Sequence, residues 1–545
     1  MFGLMQDRPL LISGILEHAA KNHKASKIVS VNADGSRARF TWPQIAARAA
    51  KLAHALKRRG VQEGERIATL AWNNHHHLEL YYGVSSMGAV MHTVNPRLFP
   101  GQILFILTDA ADTHLFVDPT VLPVVEALAE SLPPTLKAVV VMGGPDSVPA
   151  ESKLRGRVEL LDQDSLIAPE PEHYDWPQLD ERSASSLCYT SGTTGDPKGV
   201  LYSHRSTVIH GLVSLAPDIF DTRATDVVMP VVPMFHVNAW GIPYAAAMAG
   251  ASLVLPGPKL DPASLYALFE EEGVTFSAGV PTIWTLMLQW LRADPTRRFA
   301  KPPRLVVGGT ALPVAITAGF LNEYGVSILH AWGMTEISPL GTTNAPKPEN
   351  AGWDTAQMLE YTRKQGRCFY GIELKVVDAD GAEIAEDGEA FGELLVRGPW
   401  CANAYFNRPN DRAFTEDGWF RTGDVVTKDP LGCIEIVDRA KDVIKSGGEW
   451  ISSITLENLI MGHPMVAEAA AVPVPHPKWD ERPLLLVVPK AGTNPTQADI
   501  LAFYEGKVAK WWIPDEVRFV QDLPKTATGK MWKAEIKRRM QESGA

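Results

Sequence analysis

Residues 189–200 read YTSGTTGDPKGV. The hydroxyls of Thr190, Ser191, Thr193 and Thr194 stand among Gly192, Gly195 and Gly199, with Lys198 near the end. Glycines let backbone N–H groups turn toward a phosphate, hydroxyls add donors, and a lysine adds charge. The spacing is not that of a Walker loop, because Lys198 follows Pro197 and precedes Gly199 instead of a Ser or Thr. Pro197 and Gly199 also keep a long helix from aiming its N-terminus at the anion. Composition leaves two readings open: a moving flap over a polyphosphate, and a plain surface hairpin.

Other side chains could do related chemistry. HAWGMTE (330–336) sets Thr335 beside Glu336. A hydroxyl can bond a phosphate while the carboxylate holds Mg²⁺, which prefers oxygen ligands and keeps waters. Trp332 offers a flat ring for stacking, or simply packs in the core. Asp424 in WFRTGD has a turn context, and a carboxylate can take both hydroxyls of a ribose at once. His236 lies between apolar residues in VPMFHVNAW and by itself reads as a core histidine on a strand. Lys530 ends LPKTATGK, where Gly529 and two threonines suggest an exposed loop able to reach a distant site. By itself it reads as a surface lysine. His75, His76 and His77 are consecutive in a helical pattern, so their side chains face different ways and are not read as one metal site.

These groups need elements to place them. The first 180 residues alternate helical patterns (LEHAAKNH, QIAARAAKLAHALKRRG with Gly60 as C-cap) with short apolar runs (RIATLAW, AVMHTV, THLFVD, AVVVMG). Residues 200–330 repeat the alternation, which argues for α/β layers on a largely buried sheet. After about residue 366 the texture becomes β-rich, with Asp-Gly and Pro-Leu-Gly turns, and from about 442 a short α/β unit returns. The apolar stretches 237–258 and 274–291 are broken by Pro and Gly, so each is expected to be a buried strand beside a buried helix and not a membrane span. The basic tail KMWKAEIKRRM reads as a solvated last helix.

At 545 residues the chain is too long for one ordinary domain. Its net charge of −11 argues against a nucleic-acid partner, which would need a basic face. Cys188, Cys368, Cys401 and Cys433 are scattered and read as reduced thiols. The first residues have neither a basic n-region nor a small-residue cleavage site, so a cytoplasmic protein is expected.

YTSGTTGDPKGV resembles the signature of the acyl-adenylate-forming superfamily, which includes acyl-CoA synthetases, beetle luciferases and the adenylation domains of peptide synthetases. The superfamily's other blocks follow in order: VPMFHVNAW (232–240), VGGTAL (307–312), HAWGMTE (330–336), GELLVRG (392–398), WFRTGD (419–424), DRAKDVIKSGGEW (438–450) and LPKTATGK (523–530). The resemblance spans the whole chain. It looks most like bacterial medium- to long-chain fatty acyl-CoA ligases, whose relatives act on 3-methylmercaptopropionate.

The resemblance implies an α/β fold: a large N-terminal domain of layered α/β sheets (1–440) with a β-rich subdomain at about 366–437, and a small mobile α+β C-terminal domain (441–545). ATP and Mg²⁺ are implied cofactors with CoA as co-substrate, and a carboxylic acid is activated to acyl-AMP and then passed to CoA. Nucleotide contacts are implied for Thr190, Ser191, Gly192, Thr193, Thr194, Lys198, Gly309, Thr310, His330, Ala331, Trp332, Gly333, Thr335, Asp424, Arg439, Lys441 and Lys445. Arg439 would join Asp424 or the α-phosphate, although an ion pair between the two is the blander alternative, and Lys441 would be the hinge. Thr190 and Glu336 would hold the metal. Lys530, Glu336 and His236 would be catalytic. The acyl group would lie against His236, Val237, Trp240, Val280, Pro281, Gly333, Ser338, Pro339 and Leu340, mostly apolar positions that suit an apolar acid. Amino-acid-activating relatives usually have an Asp just after this Phe; here Phe235 is followed by His236 and Val237, which speaks against an amino-acid substrate. Ser446, Gly447, Gly448 and Trp450 would face CoA. The chain ends 15 residues after Lys530 without a carrier domain, which favours CoA over a carrier protein. A luciferase-like oxygenase and a nucleotide binder without catalysis are the remaining alternatives. A homodimer through the large domain is a further implied expectation.

Overall fold

Short apolar runs form the inner strands of the two large sheets. The computed structural model describes residues 1, 3–190, 196–378, 380–447, 449–525 and 531–542. Val90–Thr93, His114–Val117, Ala138–Val141 and Phe276–Gly279 are buried at every position, as strands covered on both faces must be. Helices supply the cover, and their caps are written in the sequence. Thr41 and Gln44 form a capping box at the start of Trp42–Arg58, and Gly60 beyond its end takes φ +80°.

The described residues divide into two compact units. One holds Met1–Thr190, Pro197–Glu373 and Arg397–Phe420; the other holds Leu374–Val396 and the chain from Arg421 onward. In the first, a 7-stranded sheet has the order Glu159–Asp162, Ala138–Val141, His114–Val117, Arg66–Leu70, Val90–Thr93, Ala184–Tyr189, Gly199–Ser203. Its pairings are parallel except the last. Antiparallel neighbours need only a short connection, and segment 190–198 is that connection.

A 9-stranded sheet has the order Arg367–Cys368, Leu340–Thr343, Ser327–Gly333, Arg304–Gly308, Phe276–Gly279, Val227–Pro230, Ser252–Leu255, Lys27–Val31, Arg37–Thr41. The strands from Ser327–Gly333 to Lys27–Val31 are parallel, and the outer ones antiparallel. Both long apolar stretches resolve as expected into buried pieces: helix Ile242–Ala249 with strand Ser252–Leu255, and strand Phe276–Gly279 with helix Pro281–Arg292. Among the described residues no helix is long and apolar enough to cross a membrane.

The second unit has a 4-stranded sheet in the order Glu373–Val377, Phe391–Arg397, Phe420–Lys428, Ile434–Arg439. Its other sheet is built on the long hairpin Val466–His476 and Asp480–Pro489, with Ile444–Ser446 and Glu449–Ile451 on one side. Glu516–Phe519 pairs with Asp480–Pro489 in parallel. The terminal helix Lys533–Glu542 departs from the solvated reading. Ile536 packs into an apolar cluster with Leu484 and Val472, and Lys533 is buried against Glu457 at 2.7 Å. A basic amphipathic pattern does not reveal that one of its lysines has a buried carboxylate waiting for it.

Burial leaves the first unit sensitive to acid. His77, His114 and His204 are pushed down to about 4 and His210 to about 3, each chiefly by desolvation. These rings fold neutral, whereas an unfolded histidine takes a proton near pH 6.5. Their contribution is therefore complete above that value and is lost as pH falls toward 4, by about 1.4 kcal/mol per pH unit for each ring. Asp112, pushed up by burial, works in the opposite sense but is one group against four. The urea midpoint is expected to fall steadily from about pH 7 to about pH 5; equal midpoints would contradict neutral burial of these rings.

Candidate active site

The glycine-rich segment is closed at its neck. Thr190 N donates to the Lys198 carbonyl (2.9 Å), and Lys198 N donates back to Thr190 Oγ1 (3.1 Å). Lys198 Nζ pairs with Asp411 Oδ2 at 2.7 Å and lies 4.6 Å from the centre of the Tyr405 ring. Gly199 allows this approach: a Cβ there would come within 3.0 Å of Phe406 Cβ, and the Gly199 carbonyl accepts from Phe406 N at 2.8 Å. Ser191, Gly192, Thr193 and Thr194 lie outside the described residues.

A tight turn after the strand Ser327–Gly333 presents Thr335 and Glu336, both buried. Met334 N donates to the Pro339 carbonyl at 3.0 Å, and a Cβ on Gly333 would fall 2.0 Å from that oxygen, so only glycine fits. The Thr335 carbonyl accepts from Tyr202 Oη (2.6 Å), and the Glu336 carbonyl accepts from Ala402 N (2.7 Å). Tyr405 Oη donates to Glu336 Oε1 at 2.6 Å. Ser338 Oγ donates to the Trp400 carbonyl, while Trp400 Nε1 donates to the Leu340 carbonyl. The Trp332 ring is buried against Gly341, where a Cβ would come within 2.5 Å of it. His330 is buried, with Nδ1 at 3.1 Å from the Thr362 carbonyl, and Gly309 (φ +88°) and Thr310 are exposed at the end of the neighbouring strand.

His236 does not sit on a strand. It precedes a left-handed turn in which Val237, Asn238, Ala239 and Trp240 have φ of 46°, 49°, 48° and 58°. Such backbone costs about 1–2 kcal/mol per non-glycine residue, so surrounding bonds must impose it. Asn238 Nδ2 donates to Ser186 Oγ (2.9 Å), and Cys188 Sγ donates to Asn238 Oδ1 (3.3 Å). Burial pushes the Cys188 thiol up to about 11, which keeps it a donor. Asn73 holds the preceding segment, donating to the Pro230 and Val232 carbonyls and accepting from Met234 N. The turn brings Trp240 beside Gly308, where a Cβ would meet Trp240 Cη2 at 3.3 Å, and Val280 stands next to Gly309. Val237, Trp240 and Pro281 are thus buried around the ends of three neighbouring strands, with Val280 partly exposed.

The second unit carries the remaining groups. Asp424 is on the strand Phe420–Lys428 and not in a turn. Arg439 is its cross-strand partner, with Nε 2.8 Å from Asp424 Oδ1. The ion pair is therefore present; Asp424 is buried and the Arg439 side chain is 42% exposed. The Lys441 carbonyl accepts from Lys537 Nζ at 2.9 Å. Lys445 N donates to Glu481. Ser446 Oγ accepts from Arg482 (3.2 Å), and Gly447 (φ +63°) packs under Trp479. Trp450 tilts on Phe391 with ring centres 5.6 Å apart and, with Val425, Val443 and Trp512, walls a cavity of about 190 Å³. Gly448 and Lys530 lie outside the described residues.

Sequence reasoning missed Tyr405, Asp411 and Asn238. Tyr405 is 69 residues from Glu336 and Asp411 is 213 from Lys198, so no local spacing announces either pair.

The chain matches the model of the AMP-binding enzyme over residues 16–406 and that of the AMP-binding enzyme C-terminal domain over 455–530. It is 49% identical over 543 residues to a 3-methylmercaptopropionyl-CoA ligase of Ruegeria pomeroyi, covering 99% of each chain. It is 46% identical to a medium-chain-fatty-acid–CoA ligase of Ectopseudomonas oleovorans, covering 99% of this chain and 97% of that one. The crystal structure of the anthranilate CoA ligase AuaEII in complex with anthranoyl-AMP superposes with a TM-score of 0.82 at 25% identity, over 98% of this chain and 99% of that one. Eight ordered blocks, two layered α/β sheets and full-length likeness agree: the chain belongs to the AMP-binding enzyme family.

Proposed function

We propose that the protein is an AMP-forming acyl-CoA ligase for an apolar carboxylic acid, a medium-chain fatty acid first and 3-methylmercaptopropionate second. Likeness along nearly the whole chain, at 49% and 46% identity, to ligases named for those two acids carries the reading. The acid's carboxylate attacks the α-phosphorus of ATP, the bond to pyrophosphate breaks, and acyl-AMP forms. The CoA thiol then attacks the acyl carbonyl, loses its proton, and AMP leaves.

The residues fit these steps. Thr190 and Glu336 are oxygen donors suited to Mg²⁺, which arrives with ATP and needs only one or two protein ligands. That ion, when bound, neutralises phosphate charge. Trp332, Gly309, Thr310, His330, Ala331 and Gly333 belong to the adenine side, and Asp424 with Arg439 to the ribose and α-phosphate. Lys198 reaches the nucleotide through the neck it closes, together with Ser191, Gly192, Thr193 and Thr194. Lys530 places a cation where charge gathers as pyrophosphate departs. His236, Val237, Trp240, Val280, Pro281, Ser338 and Pro339 line the acyl side. Residues 441–545 act as the mobile domain, hinged at Lys441, presenting Lys530 for adenylation and then Ser446, Gly447, Gly448 and Trp450 for CoA, with Lys445 between. A cytoplasmic location and a homodimer through residues 1–440 complete the reading.

A panel of medium-chain fatty acids, 3-methylmercaptopropionate, aromatic acids and alicyclic acids in a pyrophosphate-exchange assay tests it. Medium-chain acids should exceed aromatic ones by about tenfold or more in kcat/KM, the worth of one or two well-packed methylenes. Exchange driven only by amino acids, or by no acid, would refute the reading.

A further inference from the structure

Tyr405 uses both of its chemically distinct parts. Its hydroxyl donates to Glu336 Oε1 at 2.6 Å, and its ring faces Lys198 Nζ at 4.6 Å. The ring is not free to turn, because Phe414 stands edge-on with ring centres 5.1 Å apart and Phe420 at 6.5 Å. Lys198 is fixed in turn. Asp411 pairs with it at 2.7 Å and is itself held by Ala413 N at 3.0 Å. Lys198 carries the neck bonds to Thr190. One aromatic residue thus touches both anchors of the glycine-rich segment and of the Thr335–Glu336 turn.

We propose that Tyr405 is a positioning residue that fixes the Glu336 carboxylate relative to Thr190, and so sets the affinity of the site for metal-bound ATP. The inference rests on the reading of Thr190 and Glu336 as the oxygen donors for Mg²⁺. An O–H aimed at one carboxylate oxygen selects the side-chain rotamer, and outer partners of this kind govern metal affinity. The cation over the ring face adds a second tether that does not depend on the hydroxyl.

Tyr405→Phe removes the hydroxyl and keeps the ring under Lys198. Calorimetric binding of ATP with Mg²⁺ and with EDTA reads the effect without catalysis. The preference for Mg²⁺-bound ATP is expected to fall about tenfold, and the Mg²⁺ concentration for half-maximal pyrophosphate exchange to rise by a similar factor. Thioester formation from supplied acyl-AMP should not change. Asp411→Asn, which loosens Lys198 from outside the site, should shift binding in the same direction. An unchanged binding preference in Tyr405→Phe, or equal losses in both half-reactions, would overturn the proposal. If no acid supports exchange in the unaltered protein, the ligase reading fails; the binding ratio still decides the role of Tyr405.

Discussion

Lys530→Ala is expected to lower acid-dependent pyrophosphate exchange by about 10²–10³-fold, the usual loss when one preorganised donor to developing charge is removed. Thioester formation from supplied acyl-AMP should stay within about twofold of the unaltered enzyme. The asymmetry follows from the two steps. In the first, negative charge spreads over phosphoryl oxygens as pyrophosphate leaves, and a cation placed there stabilises the transition state more than the ground state. In the second, the reacting centre is the acyl carbonyl and the leaving group is AMP. On the proposed mechanism the loss is therefore expected in kcat of adenylation, with little effect on acid binding. A variant with full exchange would remove Lys530 from the mechanism, and a variant losing both steps alike would point to a general structural defect.

Lys533→Met should destabilise the second unit by about 3–5 kcal/mol, the cost of removing one partner from a buried ion pair. Lys533 Nζ lies 2.7 Å from Glu457 Oε1, with side-chain exposures of 8% and 16%, and also donates to Ser453 Oγ. Asp438, wholly buried, faces the same ammonium; its carboxyl and that of Glu457 are pushed up by desolvation, against which Lys533 pulls. Burial lowers Lys533, but Glu457 and Asp438 outweigh it and raise the ammonium overall. Without that ammonium, two carboxylates remain buried, held by hydrogen bonds that include those from Ala471 N, Ser453 N and Arg439 N. Adding Glu457→Gln should recover part of the loss, since it removes one orphaned charge. Urea denaturation followed by the fluorescence of Trp450, Trp512 and the other tryptophans measures it, and a loss below about 1 kcal/mol would mean the pair is solvated, as surface pairs are. The helix Lys533–Glu542 begins three residues after the proposed catalytic Lys530 in the sequence.

The layered α/β sheets were legible because they depend on local apolar runs and their caps. VVMPVVP, FSAGVP and RLVVGG each contain the strand expected of them. The link 190–198 was legible as a loop, and its two readings share one geometry, since the segment spans a hairpin whichever task it performs. Features set by contacts between distant residues were not legible. TGD suggested a turn at Asp424, but strand register pairs it with Arg439, 15 residues on. FHVNAW holds no glycine, and its left-handed turn is held by distant partners, Asn238 donating to Ser186 and accepting from Cys188. Tyr405 and Lys533 have no motif around them, because their meaning lies in carboxylates that the fold delivers from far along the chain.

On the proposed function, one chain joins an apolar acid to CoA through an adenylate. Product stoichiometry with ATP, Mg²⁺, a medium-chain fatty acid and CoA tests it most directly. AMP, pyrophosphate and acyl-CoA should appear in equal amounts, and withholding CoA should leave acid-dependent pyrophosphate exchange with little net AMP. Formation of ADP and phosphate, or AMP release that ignores the acid, would contradict the account.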